Sequence, residues 1–357
     1  MNVDLKIERR GFSLPLLLLS FILFLILFFS ASSSRNPVSS AFQRGMSYAT
    51  YAEMDPEVYG SLRSNMSLER MQSIGVEWVA INVVYYQYDE TSSEIYPLKD
   101  RSPTRDSVAK AVEKARSLGM RVMLKPMVDL ETCTVKPCWR GNIKPSEEWF
   151  RSYASFINSW AEFAEKHNVE ILCIGCEYAN TVEYAERWVS IIIGVRERYH
   201  GELTYAATWD ECQRITWWDK LDYIGVNAYF PLTDKRDPTV EELTIAWKPW
   251  VEKLKNLSTK YQKPILFTEI GYLSCDGTNI QPWNYTMQRD KNIPLDLQEQ
   301  ADCYQAALKS IWNKPWFRGF YWWYWQPDPE AGGPENRDYT PQNKPAEKVL
   351  KEWYRRK

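Results

Sequence analysis

The chain has 357 residues and a formal net charge of -2. Hydrophobic residues make up 45% and charged residues 25%, the makeup of a folded globular protein, so disorder is excluded for most of the length. Near-neutral charge removes the electrostatic footprint of a nucleic-acid binder. Two histidines, His167 and His200, are too few for a three-histidine zinc site, and neither sits in a motif that suggests a Ser–His–Asp triad.

The N-terminal part reads as a membrane segment. No residue from Gly11 to Ser34 is charged, and residues 12–31 are almost wholly apolar. A helix of that length spans about 30 Å, the thickness of a hydrocarbon core. Lys6, Arg9 and Arg10 precede the run and only Arg35 closely follows it, so the positive-inside rule places the N-terminus in the cytoplasm. Residues 1–35 are therefore expected to be a cytoplasmic tip and signal anchor, with the lipid bilayer contacted through residues 12–31. A signal peptide cut near Ala31 is the competing reading. Either delivers residues 36–357 outside the cytoplasm, anchored or secreted. With Lys6, Arg9, Arg10 and Arg35 set against Asp4 and Glu8 in the first segment, the exterior part keeps a net charge of -4.

Short apolar runs then alternate with helical patterns. The candidate strands are FQRGMSY (42–48), WVAINVVYY (78–86), RVMLKPMVD (121–129), VEILCIGCE (169–177), LTYAATW (203–209), LDYIGVNAY (221–229), PILFTEIGY (264–272) and FRGFYWWYW (317–325). Most are continuous apolar runs, the mark of parallel strands buried on both faces. A helix is expected from about Ser146 to His167, with Trp149, Tyr153, Phe156, Ile157, Trp160 and Phe163 on one stripe. Thr239 with Glu242, and Asp296 with Glu299, have capping-box spacing. Eight strand–helix units point to a (β/α)8 barrel. A doubly wound open sheet is the runner-up, and its glycine-rich phosphate loop is missing.

All seven cysteines lie in this part. Cys133 and Cys138 sit in an expected loop and could close a small disulfide. Cys173 and Cys176 lie in an apolar strand without a nearby histidine, where core packing is favoured over zinc. An odd total leaves at least one thiol unpaired within the chain. The sequence asks for no metal and no cofactor.

The chemical signal is a pair of carboxylates. The fourth strand runs apolar to Glu177 and the seventh runs apolar to Glu269. In a barrel, strand C-termini face the active-site mouth, and a charge there needs a reason because unpaired burial is costly. Two facing carboxylates, one protonated and one ionised, are the equipment for glycosidic-bond cleavage. A structural salt bridge or helix cap remains the alternative for either glutamate alone.

The chain resembles glycoside hydrolase family 113, within the clan of retaining (β/α)8 glycosidases, over nearly all of residues 41–330. The pieces that carry the resemblance are VMLKPMVD (122–129), WRG (139–141), WF (149–150), IGCE (174–177), GELTYAATW (201–209), DYIGVNAYFPL (222–232), KPILFTEIGY (263–272) and WWYW (322–325). The resemblance implies an endo-β-1,4-mannanase type of activity on an oligo- or polysaccharide. It also implies a retaining double displacement, with Glu177 as general acid/base and Glu269 as nucleophile. Two positions depart from the pattern. Cys176 stands where many clan members carry Asn, and Met127 stands where the family often shows His. These departures keep a second reading open, a membrane-tethered carbohydrate-binding barrel without hydrolysis.

Other site residues follow from position. Tyr229 ends strand six, and both its place and the resemblance direct its phenol at Glu269. Trp323 and Trp325, two apart on strand eight, are expected on one face as a sugar-stacking floor. Lys125, Asp129, Trp139 and Arg140, on and after strand three, are expected to meet hydroxyls from the rim or to form surface salt bridges. Asn82 and Asn227 are candidates to read hydroxyls with their amides. Trp209, at the end of strand five, and Trp283, in the loop after strand seven, would extend the cleft or anchor loops.

Overall fold

The computed structural model describes Met1, residues 41–50 and residues 55–356. The expected membrane segment at residues 12–31 lies outside the described residues. Among the described residues, no helix is long and apolar enough to cross a membrane.

Eight parallel strands close into a barrel: β1 (Gln43–Tyr48), β2 (Trp78–Gln87), β3 (Arg121–Leu130), β4 (Ile171–Cys176), β5 (Glu202–Thr208), β6 (Ile224–Asn227), β7 (Ile265–Ile270) and β8 (Phe317–Trp325). β1 pairs with β8, so no sheet edge is left open. The helices are α1 (Leu62–Ser73), α2 (Arg105–Ser117), α3 (Glu147–Lys166), α4 (Ala185–Arg196), α5 (Val240–Tyr261), α6 (Leu297–Ile311) and α7 (Pro345–Tyr354). The fold is the expected (β/α)8 barrel with one departure. Between β5 and β6 the chain makes two short 3-10 turns, Glu211–Gln213 and Trp218–Lys220, and no α-helix. Two indoles fill the space instead. Trp217 stacks on Trp188 of α4 at 5.1 Å, and its ring edge meets Tyr205 at 5.3 Å.

Helix starts obey local chemistry. Ser61, Thr104 and Ser146 each accept the backbone N–H three residues on, a bond worth about 1 kcal/mol. Thr239 and Glu242 form the reciprocal capping box. Asp296 caps α6, but Glu299 does not answer it. Its carboxylate is buried and accepts from Gly277 N–H at 2.6 Å and Asn279 N–H at 3.1 Å, bracing the loop after β7. The stripe on α3 is buried throughout, as its spacing requires.

Cys133 and Cys138 form a disulfide, and the other five cysteines are free and buried. A second apolar cluster, apart from the main core, gathers Ala49, Tyr229, Leu273, Cys275, Tyr324 and Tyr339, with Trp209 and Trp323 against it. Several of these residues follow strand ends, which puts the cluster at the C-terminal face of the barrel.

Candidate active site

Glu177 directly follows β4, in a left-handed backbone conformation with φ of 58°. A non-glycine residue there costs about 1–3 kcal/mol unless its surroundings hold it. Its N–H donates to Ala206 O on β5 at 2.9 Å. Asn227, the last residue of β6, donates from Nδ2 to Glu177 Oε1 at 2.8 Å. Thr268 Oγ1 donates to Asn227 Oδ1 at 2.9 Å, which fixes the amide so that its NH2 faces the glutamate.

Glu269 lies inside β7 and is 5% exposed. Lys125 Nζ, on a fully buried side chain, pairs with its Oε1, and Tyr229 OH donates to its Oε2 at 2.8 Å. Lys125 is thus not a rim residue. β3 is long enough to carry it within the barrel, where its ammonium has a carboxylate to meet. Between the two glutamates stands Cys176. Its Sγ donates to Glu269 Oε1 at 3.9 Å, and it receives Asn227 Nδ2 at 3.7 Å and Arg140 Nη1 at 3.3 Å. Arg140 is held by a two-pronged pair with Asp129, from Nε at 2.7 Å and Nη2 at 3.0 Å. These two side chains form a mostly buried ion pair beside the carboxylates, not a solvated surface bridge.

The electrostatics act on Glu177 and on the groups around it. Burial pushes the Glu177 carboxyl up, and the charge of Glu269 adds to that push, against the pull of Arg140, Asn227 and Lys125. Burial raises the Cys176 thiol strongly, over the opposing pull of Lys125 and Arg140, so it stays neutral. For Lys125, burial opposes the charge and is outweighed, so the ammonium is held above its usual range; the neutral Cys176 thiol adds no charge to this, and the support comes from Glu269.

Aromatic rings border this centre. Trp323 is partly exposed, with Lys125 Nζ 5.6 Å from its ring centroid. Trp209 lies 5.5 Å from Trp283, which is 41% exposed, and 5.5 Å from Trp250. Trp139 packs its ring over Gly141 at the start of the turn that carries Arg140.

Two expected site residues are placed elsewhere. Trp325 is fully buried, donates from Nε1 to Ser67 Oγ of α1 at 2.8 Å, and lies under Arg70. The rule of alternating faces fails between Trp323 and Trp325 because β8 carries an irregularity there. Met46 pairs with Trp322 but Tyr48 pairs with Trp325, so three steps of β8 match two of β1. Asn82 is buried, and its Nδ2 donates to Tyr48 O and Ala80 O, both at 3.1 Å, so its amide ties backbone and does not join the carboxylates. Thr268 was not singled out by sequence. The signal for Thr268 was its position beside Glu269 on a strand otherwise apolar.

The model for Glycoside Hydrolase Family 113 matches residues 46–344. The chain belongs to glycoside hydrolase family 113. This family 113 member is a glycoside hydrolase. It is similar to a solved GH113 β-1,4-mannanase at 27% identity and TM-score 0.78, covering 89% of this chain and 100% of that one. It is also similar to the GH113 β-mannanase from Alicyclobacillus acidocaldarius, solved in complex with ManMIm, at 26% identity and TM-score 0.77 over 88% and 97% of the two chains. A family 5 mannosidase from Rhizomucor miehei, at 12% identity and TM-score 0.52 over 88% and 92%, shares the fold. No curated protein matches the chain.

Replacing Glu269 by Gln removes the charge that adds to burial at Glu177. The Glu177 carboxyl then titrates at lower pH in Glu269→Gln than in the parent protein, read by side-chain carbon NMR. An unchanged or higher midpoint contradicts the coupling.

Proposed function

We propose that this family 113 enzyme is a retaining, endo-acting β-1,4-mannanase, with Glu177 as general acid/base and Glu269 as nucleophile. The observation that carries the reading is the opposed setting of the two carboxylates. Glu269 is gripped by an ammonium and a phenol, while Glu177 is pushed toward the protonated form by burial and by Glu269 itself. This is the division of labour that glycosidic cleavage needs.

In the first step a Glu269 oxygen bonds to the anomeric carbon as the glycosidic C–O bond breaks, and Glu177 gives its proton to the departing oxygen. In the second step Glu177, now a carboxylate, takes a proton from water, which attacks the anomeric carbon and releases Glu269. Lys125 and Tyr229 orient the nucleophile, and Asn227 orients the acid. Trp323, beside Lys125, offers a ring face to the sugar at the cleavage point, and the Trp209–Trp283 pair offers further apolar surface for additional sugars. Similarity to two GH113 mannanases over most of both chains supports a β-1,4-mannan substrate.

Glu269→Ala is expected to fold and to release no reducing sugar from mannan. Glu177→Ala is expected to lose about 10²–10⁴-fold, the usual worth of a general acid. The first product, read by proton NMR, is expected to be the β-anomer. Full activity in Glu269→Ala removes the assignment, and an α-anomer removes the double displacement. Glycan binding measured by calorimetry without sugar release would move the reading to a non-hydrolytic binder.

We also propose that residues 12–31 anchor the enzyme in a bilayer with the barrel outside the cytoplasm. The uncharged run and the basic residues before it support this. Full-length protein is expected to resist alkaline carbonate extraction from membranes, and release into the soluble fraction contradicts the anchor.

A further inference from the structure

Behind Glu177 lies a buried carboxyl that the proposed reaction does not use. Glu211 sits in the 3-10 turn after β5 and is fully buried. Its Oε1 accepts from Tyr205 OH at 2.9 Å. The same phenol oxygen accepts the backbone N–H of Tyr178 at 2.9 Å. The Tyr205 ring also packs on Gly175 so closely that a Cβ there would lie 2.7 Å from it. One side chain therefore grips the backbone on both sides of Glu177, which holds a left-handed conformation.

The other oxygen of Glu211 is tied to the same turn. Oε2 accepts from Thr208 Oγ1 at 3.0 Å, and that hydroxyl accepts Glu211's own N–H at 3.2 Å and stands 2.6 Å from Asp210 Oδ1. The groups that face Glu211 are Tyr205 and Thr208 from β5, Asp210 and Cys212 from its own turn, and Glu177 from the end of β4. Among the described residues no cation bonds to it. Burial pushes its carboxyl up to about 8, the Tyr205 bond pulls down, Glu177 pushes up, and the Thr208 bonds pull down.

We propose that Glu211 is a positioning residue for Glu177, acting through Tyr205 to hold the backbone that aims the acid. This rests on the assignment of Glu177 as general acid/base. Below about 8 Glu211 is neutral, and above that pH it ionises and sets a second negative charge near Glu177.

The test compares two substrates. Mannopentaose needs its leaving oxygen protonated, whereas a 2,4-dinitrophenyl β-mannobioside does not. Glu211→Ala and Tyr205→Phe are expected to lower kcat on mannopentaose by roughly 10-fold or more, a fraction of a general acid's worth, with the bond-breaking step on the activated glycoside nearly unchanged. Glu211→Gln keeps an acceptor for Tyr205, so it is expected to rescue the neutral-pH rate. Its alkaline limb should fall with roughly one proton where the parent falls with about two. Tyr205→Phe and Glu211→Gln carry the test if Glu211→Ala fails to fold. Parent-like rates and profiles in all variants, or equal loss on both substrates, overturn the proposal. Glu177→Ala, assayed with azide, separates the two levels. If it loses mannopentaose activity and azide rescues the activated glycoside, the Glu177 assignment stands whatever Glu211 does. If it hydrolyses mannopentaose normally, or if the parent is inert to it, that assignment and this inference fall together.

Discussion

An ammonium inside a barrel is costly, and Lys125 is fully buried in this one. Taking either charge of an ion pair out of water costs several kcal/mol, and only close geometry with further hydrogen bonds offsets it. Glu269 supplies the geometry and Tyr229 the further bond. The arrangement works only if Lys125 within β3, Tyr229 just after β6 and Glu269 within β7 reach one level in the closed barrel. Removal of either partner would leave an uncompensated buried charge, so it costs stability as well as activity without abolishing the fold.

From that pair the rest of the site follows. A fixed anion at Glu269 repels charge on Glu177 and helps keep it available as an acid. Cys176 stands between them as a neutral, weakly bonding thiol. A stronger donor or a charged group there would compete with Lys125 for Glu269. Arg140 approaches this centre, yet its two-pronged bond to Asp129 limits the charge it adds.

Much of this was legible in the sequence because parallel strands buried on both faces write themselves as apolar runs. All eight runs became strands, and a glutamate at the end of such a run stands out by contrast. Tyr229 was legible for the same reason, next to a marked neighbour. What was not legible depended on register and depth. The alternation rule misplaced Trp325 because an irregularity in β8 cannot be seen in WWYW itself. Lys125 looked like a rim residue because lysines are seldom fully buried without a partner, and its partner is 144 positions away. Asn82 offered an amide in the right strand, but backbone carbonyls claimed it. The missing helix between β5 and β6 was hidden by Trp217 and Trp218, whose bulk fills the space of a helix in fewer residues.

The central claim is that Glu269 forms a covalent bond to the sugar while Glu177 does not. A 2-deoxy-2-fluoro β-mannobiosyl fluoride should form that bond quickly and lose it slowly. After proteolysis and mass spectrometry, the account predicts the added sugar on the peptide that holds Glu269, with none on the peptide that holds Glu177. A label on Glu177, or turnover that leaves no labelled carboxylate, would contradict it.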